Sequence, residues 1–322
     1  MIPSIWLEQA YQRIAPYINK TPLTYDSAND LYFKWENYQV TGSFKIRGAI
    51  NKILSLQNWE LERGLVTASA GNHGQGVAFA GKLMQASVVV FASEHATSNK
   101  VQSMRELGAE IHLVPGGYAE AELAGIEYAR TTISTWISPY NDGMVIAGQG
   151  TLGLEVLNDH PDPLPKLWVV PAGGGGLVSG IGCAIQNIVP RPGLVAVQSE
   201  ASPFLHNIFH HGTQTGVVEL PSLADGLAGP VEEGAVTIPM VMSLVNDIVL
   251  VSEDEIKKAI KHAWNVYHER IEGSAAAPLA AILSNRNMVR PAVVVITGGN
   301  INPIDHTEIV NDNAVGSFKG LN

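Results

Sequence analysis

Apolar residues recur at Leu7, Ala10, Tyr11, Ile14 and Ile18 with the spacing of one helix face, and Ser4 stands where an N-cap belongs. The chain is therefore expected to open on an amphipathic helix, followed by a turn at Thr21-Pro22. Short β-rich runs then alternate with helical stretches: LVTAS at 65–69, SVVVFAS at 87–93 and EIHLV at 110–114, with helix-like segments at 72–84 and 98–108 between them. A second series, LWVVPA at 167–172, LVAVQSE at 194–200 and AVVVIT at 292–297, alternates in the same way. It includes a helix capped at Ser252 in SEDEIKKAIKHAWNVYHER. This grammar predicts an α/β protein with two doubly wound, mainly parallel sheets in closely packed domains, and a ligand cleft between them.

Three glycine-rich segments come directly after predicted strands: SAGNHGQG, GGGGL and TGGN. Parallel sheets bind ligands at the carboxyl ends of their strands, where the next helix offers unpaired N–H groups and positive dipole. Gly173, Gly174, Gly175 and Gly176 have no side chains, so their N–H groups can converge on a phosphate before a helix near Leu177. A tight strand-to-helix turn would use the same residues. The run reads GGGGLVSG, so it does not meet the dinucleotide spacing, and no P-loop GK[ST] occurs.

Composition narrows the class. With 322 residues the chain can bury a substantial core, and its one cysteine, Cys183, excludes an internal disulfide framework and a cysteine-based zinc cluster. Glu8 and Arg13 interrupt any N-terminal apolar run long enough to act as an export signal or membrane span, so a cytoplasmic protein is expected. A net charge of −10 without a basic stripe argues against nucleic acid as a partner. The histidines form no convincing metal-ligand set.

Lys45 follows a Thr-Gly-Ser-Phe run and opens a helical pattern with Ala49, Ile50, Ile53 and Leu54 on its apolar face. Near a helix N-terminus the dipole disfavours an ammonium and favours the neutral amine that imine formation needs. The surrounding segment, ENYQVTGSFKIRGA, closely resembles the pyridoxal-phosphate (PLP) attachment motif of the serine/threonine dehydratase family. ASAGNHGQGVA, VIAGQGT, PAGGGGLVSG, LADGLAG and TGGN resemble the same family in its usual order, so the resemblance spans residues 10–301.

The resemblance implies a tryptophan-synthase-β-like fold of PLP fold type II, with a large PLP-binding domain at 1–57 and 145–322 and a small substrate-loop domain at 58–144. It implies that Lys45 holds PLP as a Schiff base and then takes the substrate α-proton. Phe44 would pack on the ring and Asn72 would bond its phenolic oxygen. Gly173 to Gly176 and Leu177 would hold the phosphate, and Thr297 would face the pyridine nitrogen. A neutral hydroxyl there weakens the electron sink, so elimination is favoured, and the cofactor phosphate can protonate the departing water. Ser69, Ala70, Gly71, Asn72 and His73 would receive the substrate carboxylate at a helix N-terminus. The implied reaction is dehydration of L-threonine or L-serine to a 2-oxo acid and ammonia, by a homodimer or homotetramer.

Departures from the family pattern bear on specificity. Racemases of the family carry a second serine as the opposite-face base where this chain has Ala70, and Gln198, Ser202 and Phe204 stand where their metal ligands fall, leaving Glu200 alone. A His-Pro pair is replaced by Ser138-Pro139, and Tyr140 either lines the substrate pocket or packs structurally. Glu272 reads equally as a glutamate near the ring or as an exposed helix-capping acid. About twenty residues follow TGGN, so the regulatory domain of biosynthetic threonine dehydratases is not expected. Open alternatives are a lyase for 3-hydroxyaspartate or another β-hydroxy amino acid, a serine racemase, and a PLP-binding regulatory protein without catalysis.

Overall fold

The computed structural model describes residues 1–284, 287–316 and 318. Its strands are β1 (Leu23–Asp26), β2 (Leu31–Trp35), β3 (Leu65–Ala68), β4 (Val88–Ser93), β5 (Glu110–Val114), β6 (Thr135–Trp136), β7 (Leu167–Pro171), β8 (Gly193–Ser199), β9 (Asp247–Val251) and β10 (Ala292–Ile296). They form a six-stranded sheet in the order β1-β2-β10-β7-β8-β9 and a four-stranded sheet in the order β5-β4-β3-β6. Every pairing is parallel except the β1–β2 hairpin. The two mainly parallel sheets expected from the alternation are present, with β1, β2, β6 and β9 added to the six strands read from the sequence.

Side-chain alternation along the central strands builds a core on each face of the larger sheet. Ala292, Val294 and Ile296 of β10 join Leu31, Phe33 and Trp35 of β2 under the helices Glu253–His262 and Gly273–Ser284. Val293 and Val295 face the other way, onto Val178 and Ile181 of the helix Gly176–Ile185 and Leu152 and Val156 of the helix Gly143–Asn158. Beneath the smaller sheet, Leu65, Val88 and Val90 pack with Ile46, Ile50 and Ile53 of the helix Lys45–Leu54 and Val77 of the helix Asn72–Leu83. The Lys45 helix is thus wedged between the core of the smaller sheet and the helix Gly143–Asn158, where Gly48 N donates to Gln149 Oε1 at 3.2 Å, and its first residue faces the cleft.

Two local expectations differ. The opening helix runs Ser4–Ile14 with Pro3, not Ser4, at the N-cap position, so Ser4 is the first helical residue and Ile18 lies beyond the helix end. The fixed proline φ of −62° with an extended ψ of 137° supplies the entry turn without a side-chain cap. At Ser252 the expected cap forms, with the hydroxyl accepting from Glu255 N and the Glu255 carboxylate accepting from Ser252 N. The helix after it ends at His262 and widens into a π turn, Ala263–Tyr267. The Tyr267 ring packs 4.7 Å from Phe33, and its hydroxyl donates to Asp26 at 2.7 Å.

Candidate active site

All three glycine segments and Lys45 line one cleft between the sheets, as their positions at strand C-termini require. Lys45 is the first residue of its helix, and the loop before it is tied to the TGGN segment by backbone: Phe44 N donates to Thr297 O at 3.0 Å, and Ser43 bridges Gly298. The Lys45 ammonium donates to Pro139 O at 3.1 Å and lies 5.4 Å from the Phe44 ring centroid. Burial pulls its pKa down from 10.5 to about 8, opposed by the Glu272 charge. Desolvation is thus a cause of a neutral amine that the sequence, with Lys45 at a helix N-terminus, does not show.

Gly175 has φ of +87°, a conformation that favours glycine, and starts the turn into the helix at Gly176. A Cβ on Gly174 would lie 2.4 Å from the Tyr140 ring, and one on Gly173 would lie 3.2 Å from Leu227 Cα. Tyr140 therefore both lines the pocket and packs on the glycine loop, with its hydroxyl accepting from Glu232 N at 2.8 Å. Ser138, in place of the family histidine, accepts from Asn141 N at 2.9 Å and shapes the turn that presents Tyr140.

In the SAGNHG segment, Ser69 Oγ accepts from Gly71 N at 3.1 Å, and Asn72 opens the helix Asn72–Leu83, whose first-turn N–H groups lack intrahelical partners. Ala70 and Gly71 line the cleft beside them. His73 is buried, and its Nε2 lies 3.2 Å from Ile137 O, while Nδ1 has no partner. Burial and the nearby Lys45 charge lower its pKa to about 3, so it stands as a neutral ring.

The Asn72 side chain donates to Glu272 Oε1 at 2.7 Å and accepts from Asn300 Nδ2 at 2.7 Å. Glu272 is 4% exposed, and burial raises its pKa to about 7 against the opposing Lys100 charge. Its side chain is buried in the cleft on Asn72 and is not an exposed cap, although its backbone carbonyl accepts the first bonds of the helix Gly273–Ser284 from Ala275 and Ala276. Polar side chains not singled out in the sequence also join the site: Lys100, Tyr118, Gln149, Asp225, Ser274 and Asn300. All but Asn300 line the cleft, and Asn300 bonds Asn72. TGGN contains Asn300 and LADGLAG contains Asp225, whereas Lys100 in NKVQSMRE carries no local signal.

The residues present fit PLP. Lys45 offers a buried amine with a lowered pKa, Thr297 Oγ1 is buried with no hydrogen-bond partner, and the glycine loop leaves space that side chains would fill. A two-sheet α/β fold with such a lysine facing a glycine loop defines a PLP enzyme of fold type II. Residues 14–298 match the model of the pyridoxal-phosphate dependent enzymes, and the chain belongs to that family.

The chain is 38% identical over 309 residues to the L-threonine ammonia-lyase of Geobacter sulfurreducens, covering 94% of this chain and 76% of that one. It is 36% identical over 312 residues to the catabolic L-threonine dehydratase TdcB of Staphylococcus aureus, covering 92% and 88%. Maize serine racemase superposes with a TM-score of 0.86 at 30% identity, covering 95% and 96% of the two chains. The T.th. threonine deaminase superposes with a TM-score of 0.84 at 31% identity, covering 92% and 98%. No described helix is long and apolar enough to cross a membrane.

Proposed function

We propose that this protein removes water from L-threonine and L-serine to give a 2-oxo acid and ammonia. The observation that carries the reading is the buried Lys45 amine with its lowered pKa, set in one cleft with the glycine loops and the unpaired Thr297 hydroxyl. Bound PLP supplies an electron-withdrawing ring conjugated to the substrate nitrogen. Lys45 Nζ would hold the cofactor, and the same buried amine would take the proton from the substrate Cα. Phe44 would pack on the ring, Gly173, Gly174, Gly175, Gly176 and Leu177 would hold the phosphate, and Thr297 would face the pyridine nitrogen. Asn72, its amide oriented by Glu272 and Asn300, would hold the phenolic oxygen.

Ser69, Ala70, Gly71, Asn72 and His73 bind the substrate carboxylate at the helix N-terminus. Ala70 carries no acid or base, and the neutral His73 ring is anchored on Ile137 O, so neither of them offers a proton to the substrate. That favours dehydration over racemisation. The functional unit is a homodimer or homotetramer in the cytoplasm, with large (1–57, 145–322) and small (58–144) domains.

The test is a substrate panel on the purified holoenzyme. L-Threonine and L-serine should release 2-oxo acid, 3-hydroxyaspartate should be slower, and Lys45→Ala should lose both the imine absorption band and turnover. A wild type that takes up no PLP would sink the reading. Faster release from 3-hydroxyaspartate than from L-threonine would reassign the substrate.

A further inference from the structure

The mouth of the cleft is bridged by contacts that no step above uses. Lys100 lies on the helix Ser98–Glu106, whose Val101 and Met104 are packed in the core of the smaller sheet. Its ammonium pairs with the carboxylate of Asp225, in the turn Asp225–Leu227 on the other side of the cleft. That turn is anchored to the larger sheet's core: Leu227 is buried there, and Gly226 N donates to Ser274 Oγ at 3.0 Å.

The stem of Lys100 does a second thing on its way across. A Cβ on Gly71 would lie 3.0 Å from Lys100 Cδ and 3.6 Å from its Nζ, so the aliphatic chain rests directly on the backbone of the 69–73 loop. Nearby, a Cβ on Gly229 would lie 3.0 Å from the Tyr118 ring, and Tyr118 opens the helix Tyr118–Thr132 that packs on the smaller sheet. Both bridges end in the LADGLAG segment, residues 223–229. The side chain of Lys100 is 16% exposed and that of Asp225 51%, so the pair is sheltered on one side and open to solvent on the other. A contact of that kind is worth little as static stability, yet it can be made and broken during a catalytic cycle.

We infer that Lys100 and Asp225 are positioning residues that draw the smaller-sheet unit onto the LADGLAG segment and press the 69–73 loop into its substrate-binding shape. The inference rests on the reading of 69–73 as the carboxylate loop. Pairing closes the mouth after substrate enters, and separation opens it for product release. Neither side chain exchanges a proton or bonds substrate in this scheme.

The experiment compares the holoenzyme with Lys100→Met, Asp225→Asn and the charge-swapped double variant Lys100→Glu/Asp225→Lys. Hydrogen exchange of peptides spanning 69–75 and 98–106 should quicken in each single variant, and fall back toward wild type in the swap. KM for L-threonine should rise by about tenfold in the singles with kcat changed by less than about threefold, and the swap should recover most of the loss. If exchange is unaltered in the singles, or the swap fails to slow it, the closing role is overturned. Wild-type and swap enzymes that show the exchange pattern without turning over L-threonine would support the closure and remove the proposed reaction.

Discussion

Lys45 and Glu272 face one cleft, and the charge on Glu272 bears on the protonation of Lys45. Burial lowers Lys45 to about 8 while the Glu272 charge raises it, and Glu272 itself is pushed up to about 7 by burial. Replacing Glu272 by Gln removes the charge that raises Lys45, so the amine should become neutral at lower pH. The apoenzyme should then capture PLP with its half-maximal rate shifted to the acid side of wild type, read by stopped-flow absorbance across a pH series. An unmoved or alkaline-shifted profile would break the coupling.

His73 makes a separate demand on stability. Its folded-state pKa is about 3 against an unfolded 6.5, because a charged imidazolium would be buried. The unfolded chain therefore takes up a proton below pH 6.5 that the folded protein does not, and stability present above pH 6.5 is lost progressively as pH falls toward 3. The slope from this one group is about 1.4 kcal/mol per pH unit within that window. Urea unfolding at pH 7, 5.5 and 4.5 should show a steeper loss in wild type than in His73→Asn. Equal slopes would show that His73 does not carry the effect.

At the scale of elements, the VIAGQGT segment serves packing. A Cβ on Gly148 would lie 2.4 Å from Arg47 O, one on Gly150 2.7 Å from Gly180 O, and one on Gly180 2.5 Å from Ile146 O. The helix Gly143–Asn158 thus meets the Lys45 helix and the helix Gly176–Ile185 behind the glycine loop at backbone distance, fixing the lysine and that loop relative to each other. Gly148→Ala should force that contact apart, at a cost of about 1–3 kcal/mol in urea unfolding and with weaker PLP retention. Unchanged stability would mean that the helices can separate without consequence.

The same elements show why sequence reading reached the site sooner than the sheet. Strand-end glycines and the Lys45 segment are local signals, and the cleft brings them together as the topology requires. By contrast β1 is partly exposed with no clean alternation, β6 has two residues, and β2 carries Lys34 in the middle of a fully buried LYFKW run. In Asp247–Val251 the apolar run is short and lies at the sheet edge, although its Ile248, Val249 and Val251 are β-formers. Lys100 and Asp225 are 125 positions apart and meet only through the tertiary fold, so no spacing rule could pair them.

Across the whole molecule, a buried ion cluster joins the larger sheet to both helices that position Lys45. Lys34 of β2 pairs with Glu155 at 2.7 Å; Arg47 pairs with Glu36 at 2.7 Å and with Glu155 at 2.8 Å. Lys34, Glu36 and Arg47 are fully buried and Glu155 nearly so, and Thr21 O and Thr151 Oγ1 accept the spare donors. Burial would lower the Arg47 pKa and raise that of Glu155. The pairings outweigh it and move both the other way, which keeps the two ions charged.

Two cations and two carboxylates balance, so the cluster tolerates burial only as a set. Glu155→Gln leaves Lys34 and Arg47 against Glu36 alone, an uncompensated buried charge that should cost about 3–5 kcal/mol. Adding Lys34→Met restores one cation to one carboxylate, with an apolar stem replacing the ammonium. The double variant should therefore recover a large part of the loss in urea unfolding. If the second substitution instead adds its own full cost, charge balance is not what holds the cluster, and individual hydrogen bonds such as Lys34 to Thr21 O dominate.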